Sequence, residues 1–168
     1  MEFNVSSLLR EHTGATREYE IDDDLVVEGE THHVTGHARM DRTPNGILVR
    51  ATIRGVAEGE CSRCLRPIAY PVEIAFEEEY VPTVDVLTGA RVELPEGSDE
   101  AYRIDEHHIL DLSRAAREYW TAALPMAPLC REDCPGLCPV CGEEMSGEHP
   151  CTREQVDARW EKLANLRL

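Results

Sequence analysis

Alternation of apolar and polar residues dominates the first half of the chain. Val34, Gly36, Ala38 and Met40 alternate with His33, Thr35, His37 and Arg39, the two-residue period of a half-buried strand. Thr43-Pro44-Asn45-Gly46 is a turn signal. Beyond it Ile47, Val49, Ala51 and Ile53 face one way and Leu48, Arg50, Thr52 and Arg54 the other, so the two runs predict an antiparallel hairpin. Val72, Ile74, Phe76 and Tyr80 alternate with Glu73, Ala75, Glu77 and Glu79 as a further strand. Tyr19 and Ile21, with Leu25 to Val27, begin the same sheet. Ahead of them, Val5, Leu8 and Leu9 predict an anchoring turn in an otherwise polar segment, 1–17.

The period then changes. Residues 83–106 are acidic and turn-rich and read as a solvated loop. Asp111 can accept from the orphan amides of a helical first turn. Leu112, Ala116, Tyr119, Trp120 and Ala123 follow on one side at helical spacing, and Pro125 ends the helix. Residues 126–151 are dense in Cys, Pro and Gly. Thr152 and Gln155 form a capping box, and Val156, Trp160 and Leu163 continue a second helix.

Composition narrows the class. The chain has 168 residues, 17 basic and 33 acidic, for a net charge of −16. That length can bury a core without disulfides. No run of about 18 apolar residues exists, so no membrane span is expected. The opening MEFNVSSLLREH lacks a basic segment followed by an apolar one, so no secretory leader is expected. A cytoplasmic protein is the expectation, with cysteines serving as thiols or metal ligands. The acidity argues against a general polyanion binder, whose affinity comes from basic surface. Two Phe, five Tyr and two Trp are too few for a base-stacking platform.

All seven cysteines fall in two clusters. One is Cys61-Ser-Arg-Cys64; the other is Cys130, Cys134, Cys138, Cys141 and Cys151. A CxxC turn aims two sulfurs at one ion, and zinc takes four such ligands in a tetrahedron. Two CxxC turns plus three more cysteines in such a chain read as zinc binding. With His149 the count reaches eight ligands, enough for two sites, from the pairs 61/64, 130/134, 138/141 and 149/151. Spacing leaves the combination open. Cys61, Cys64, Cys130 and Cys134 can form a long-range site that ties the Cys loop to the sheet, leaving Cys138, Cys141, His149 and Cys151. Alternatively, 130, 134, 138 and 141 close one local site, or the two CxxC turns join as a ribbon. Sites built mostly of thiolates are usually structural. A redox CxxC usually opens a helix, and Cys64 is instead followed by Leu65-Arg66-Pro67 and a strand.

No phosphate-loop, dinucleotide, nucleophile-elbow or zinc-protease motif is present. One stretch is locally basic: Arg39 to Arg66 holds six Arg against Asp41, Glu58 and Glu60. Arg50 and Arg54 share a strand face, and Arg63 and Arg66 flank the first CxxC. Such guanidinium groups can grip phosphates, or can form ion pairs on a solvated face.

Three stretches together carry a resemblance. They are Cys61-Ser-Arg-Cys64-Leu65-Arg66-Pro67, the run Leu124-Pro125-Met126 through Gly136-Leu137-Cys138-Pro139-Val140-Cys141-Gly142, and Val156-Asp157-Ala158-Arg159. With Asn45-Gly46-Ile47-Leu48-Val49 and Glu79-Tyr80, they resemble the YceD family, bacterial and chloroplast proteins tied to accumulation of large-subunit ribosomal RNA. The resemblance implies a non-enzymatic role in synthesis, processing or stability of 23S RNA, and it favours the long-range cysteine site. The family's last cysteines often come as Cys-x-Cys, whereas Cys151 is followed by Thr152-Arg153, so His149 would have to substitute.

The sequence therefore predicts an α+β fold: an antiparallel sheet, a packing helix, a zinc-stapled Cys loop and a C-terminal helix. A β-rich core domain spans 1–125, and the Cys-rich loop and last helix span 126–168, packed on that core. One or two zinc ions are expected. The partner is large-subunit RNA, met by Arg50, Arg54, Arg63 and Arg66, or a basic ribosomal protein drawn to the acidic surface. Neither a membrane nor a small-molecule substrate is expected. The alternative is a redox-responsive zinc-binding regulatory protein, in which thiol oxidation ejects the metal.

Overall fold

A computed structural model of the protein describes residues 1–93, 102–145 and 151. The elements in chain order are β1 (Glu2–Asn4), α1 (Ser6–Leu9), β2 (Thr16–Val27), β3 (Glu30–Arg42), β4 (Ile47–Glu60), β5 (Pro67–Pro82), β6 (Tyr102–Ile104), β7 (Ile109–Asp111) and α2 (Ser113–Ala123). The strands form one sheet in the order β1-β7-β6-β5-β4-β3-β2.

The predicted hairpin is β3–β4. Gly36 lies opposite Ile53 and Met40 opposite Val49, and the Thr43 hydroxyl closes the turn by accepting from Gly46 N–H at 2.9 Å. Alternation sets the buried face as read from the sequence: Val34, Ala38, Met40, Ile47, Val49, Ala51 and Ile53 are inside. On β5, Val72, Ile74, Phe76 and Tyr80 point the same way. Glu78 occupies the inward register between Phe76 and Tyr80, and its carboxylate accepts from the Tyr119 hydroxyl at 2.7 Å.

Three expectations change. The sheet is mixed, because β6 runs parallel to β5 with Tyr80 opposite Tyr102. Strand β6 falls inside the 83–106 stretch, where Ile104 is fully buried. Among the described residues the protein is mostly β rather than a balanced α+β fold: strands of 12 to 16 residues outweigh one 11-residue helix and one short turn of helix. Thr152, Gln155, Val156, Trp160 and Leu163, assigned to a last helix, lie outside the described residues.

The chain divides into two compact units. The first holds Met1–Glu58 and Ala69–Pro125; the second holds Gly59–Ile68 and Met126–Leu168. In the first, α2 buries Leu112, Ala115, Ala116 and Trp120. Ala123, predicted on this face, is exposed. The Asp111 carboxylate accepts from Ser113 N–H at 2.9 Å, and Leu124, extended ahead of Pro125, stops the helix. Trp120 lies so close to β4 that a Cβ on Gly55 would sit 2.9 Å from its Cη2. Burying an indole of this size stabilises the unit by about 4–6 kcal/mol on area grounds. Among the described residues, no helix is long and apolar enough to cross a membrane.

Candidate metal centre

The second unit brings Cys61, Cys64, Cys130 and Cys134 together, with their sulfurs all within 4.8 Å of one another. Cys61 and Cys134 are 3.8 Å apart, as are Cys64 and Cys130. Four sulfurs at about 2.3 Å from a central ion in a tetrahedron stand about 3.8 Å from each other. The spacing therefore fits a tetrahedral metal, and all seven cysteines of the chain are thiols. Cys61, Cys64 and Cys134 are buried, and Ile68 and Leu137 pack against them.

Local backbone geometry aims these sulfurs. Leu65 N–H donates to Cys61 O at 2.9 Å, and Cys61 N–H donates to Arg66 O at 2.9 Å. The chain turns back at Leu65, which has a φ of +60°. Ser62 N–H donates to Pro128 O at 2.8 Å, which brings the segment carrying Cys130 alongside. The Arg63 guanidinium donates to Cys134 O at 2.9 Å. The N–H groups of Cys64 and Cys130 hold the Cys61 thiol down at about 6, against burial. The Cys134 sulfur, with burial, pushes Cys130 up to about 12. One thiol ionises readily while a neighbour resists, a conflict that a divalent cation at their centre removes.

Cys138, Cys141 and Cys151 form a second sulfur cluster. Its CxxC repeats the first turn bond for bond. Gly142 N–H donates to Cys138 O at 2.8 Å, and Cys138 N–H donates to Glu143 O at 2.7 Å. Gly142 takes the left-handed position, with a φ of +76°. Both clusters can hold metal ions. His149, predicted as a ligand, lies outside the described residues. The grouping is 61/64 with 130/134, and 138/141 with 151; the local set of four consecutive cysteines and the ribbon of two CxxC turns are not what the chain forms.

A model of the large ribosomal RNA subunit accumulation protein YceD matches residues 49–167, a span that includes every one of these cysteines. The chain belongs to the YceD family. Uncharacterized proteins of Mycobacterium bovis and Mycobacterium tuberculosis are each 36% identical to it over 128 residues, 76% of this chain and 59% of theirs. One from Mycobacterium leprae is 27% identical over 128 residues, 76% of this chain and 56% of its own. The chain thus spans under two thirds of the length of these relatives. No solved structure matches.

The four arginines singled out in this YceD-family chain all have partners within it. Arg50 bridges Glu77 at 2.5 Å and Asp41 at 2.6 Å. Arg54 pairs with Glu73 at 3.0 Å. Arg66 pairs with Glu144, and Arg63 is spent on backbone carbonyls. Sequence reading missed the structural part of Arg63 and the left-handed Leu65. The signal for Leu65 was present: the second CxxC carries Gly142 at the equivalent place.

Proposed function

We propose that this protein is a non-enzymatic factor supporting the synthesis, processing or stability of large-subunit (23S) ribosomal RNA in the cytoplasm, with zinc closing its second unit. One observation carries the reading: a family match that spans a largely buried four-sulfur cluster of tetrahedral spacing. Zinc suits it because a borderline-soft ion without redox chemistry takes four thiolates as a closed structural site. When bound, zinc supplies charge neutralisation and a cross-link. Cys61 and Cys64 hold it from one chain segment, Cys130 and Cys134 from another.

The contacting partner is best read as a basic ribosomal protein. The chain carries a net charge of −16, and Arg50, Arg54 and Arg66 are each matched by a carboxylate. Arginines neutralised in this way release few counterions from RNA, whereas unpaired acids attract lysine and arginine.

The test is removal of the gene in its own host, with the ratio of large- to small-subunit ribosomal RNA measured by electrophoresis. The ratio is expected to fall, to recover with the wild-type gene, and to stay low with Cys61→Ser. An unchanged ratio in the deletion strain would overturn the reading.

A further inference from the structure

Two CxxC turns of one conformation sit in one small unit, but their surroundings differ. Around the first turn, Cys61, Cys64 and Cys134 are buried and Cys130 is half-buried. Around the second, only Cys138 is buried, while Cys141 and Cys151 are exposed. The second turn is nonetheless built for a metal. Val140 N–H approaches Cys138 Sγ at 3.4 Å, an orienting contact to a ligand sulfur. Met145 N–H donates to Gly136 O at 3.0 Å, and Leu137 bridges to Glu144, so the loop is pinned on both sides of the CxxC. Three sulfurs converge there, and among the described residues no fourth His, Cys, Asp or Glu atom joins them.

We propose that Cys138, Cys141 and Cys151 form a second zinc centre, which exchanges its ion independently of the buried four-cysteine centre and faster than it. This rests on the reading of the first centre as zinc. Burial excludes the water and chelators that replace thiolates one at a time, and it covers three of the four sulfurs at the first centre against one of the three at the second. The second unit would then keep its fold through one ion while a second follows the free zinc concentration.

The experiment uses the full chain purified with zinc and no chelator. Excess 4-(2-pyridylazo)resorcinol is added and zinc release followed by absorbance. Two phases of about one equivalent each are expected, separated by roughly tenfold or more in rate, the scale on which ligand surroundings change zinc affinity. Cys141→Ser and Cys151→Ser should each abolish the fast phase and leave the slow one. A single slow equivalent would overturn the second centre and leave the first standing. Two equivalents leaving at one rate, or loss of both phases in both variants, would overturn independent exchange. Absence of zinc from the wild-type protein would remove the first centre and the second with it.

Discussion

The two units solve the same problem with different materials. The first buries a continuous apolar cluster that includes Trp120, Tyr80, Leu25, Met40, Ile53 and Leu110. Among the described residues of the second, Cys61, Cys64 and Cys134 form a buried cluster, with Ile68 and Leu137 as the apolar side chains packed beside them. Among the described residues of that unit, Leu65, Met126, Leu129 and Val140 are exposed. Where the described residues bury this little apolar area, metal ligation is the usual way for a small module to offset its chain entropy. The difference contrasts a core held by apolar burial with a cluster of thiols that can hold a metal ion.

The largest effect should come from taking the metal away. Chelation is expected to unfold the second unit and spare the first. Hydrogen exchange would show protection lost over 59–68 and 126–145 while β2, β3 and α2 keep theirs. Loss of protection throughout would mean that the sheet, too, depends on the metal. Protection retained at 59–68 would mean that the thiols need no ion.

Trp120→Ala tests the other side. A cavity of that size costs about 3–5 kcal/mol, read from chemical denaturation of zinc-loaded protein. The slow phase of zinc release should not move. A change in zinc release on this substitution would break the separation between the two units.

Most of the first unit was legible because alternation is a local signal. Val34 to Met40 and Ile47 to Ile53 declare their buried face without knowledge of any partner. What escaped was non-local. Nothing in Tyr102-Arg103-Ile104 announces that it pairs parallel to Tyr80-Val81-Pro82, because three residues are too few to show a period. Glu78 interrupts the apolar register of β5, and its reason, the Tyr119 hydroxyl, lies 41 positions away. At the metal centre the residue types were legible and the grouping was not. CxxC spacing fixes which sulfurs are neighbours in sequence, while the choice of 130/134 over 138/141 as partners for 61/64 is made in three dimensions. The family resemblance favoured the grouping that the fold adopts.

The paired CxxC turns allow a finer comparison. Leu65 and Gly142 occupy the same left-handed position, where a side chain costs roughly 1–2 kcal/mol. Leu65 is exposed, so little burial offsets that cost. Leu65→Gly should stabilise the zinc-loaded second unit by about 0.5–1 kcal/mol once glycine's extra unfolded-state freedom is deducted. Gly142→Ala should destabilise the second turn by about 1 kcal/mol and speed the fast zinc phase. Slower exchange in Gly142→Ala, or weaker zinc retention in Leu65→Gly, would mean that the two turns are not equivalent.

The smallest effect concerns the strand face. Arg50 and Arg54 lie among Glu73, Glu77 and Asp41, and their guanidinium groups are held above their ordinary pKa by hydrogen bonds to Glu77 and Glu73. Both are therefore fixed charges whose fields are largely cancelled by their partners. Wild-type protein should bind a large-subunit RNA fragment weakly at physiological salt, and Arg50→Ala with Arg54→Ala should leave that binding unchanged. Glu73→Gln with Glu77→Gln removes one carboxylate partner from each arginine and leaves Arg50 its pair with Asp41. The double variant should gain RNA affinity, with a salt slope steeper by up to about two, one for each phosphate contact released from competition. If instead the arginine variants weaken wild-type binding and flatten its salt dependence, the strand face meets RNA directly. The acidic neighbours would then position the guanidinium groups rather than silence them.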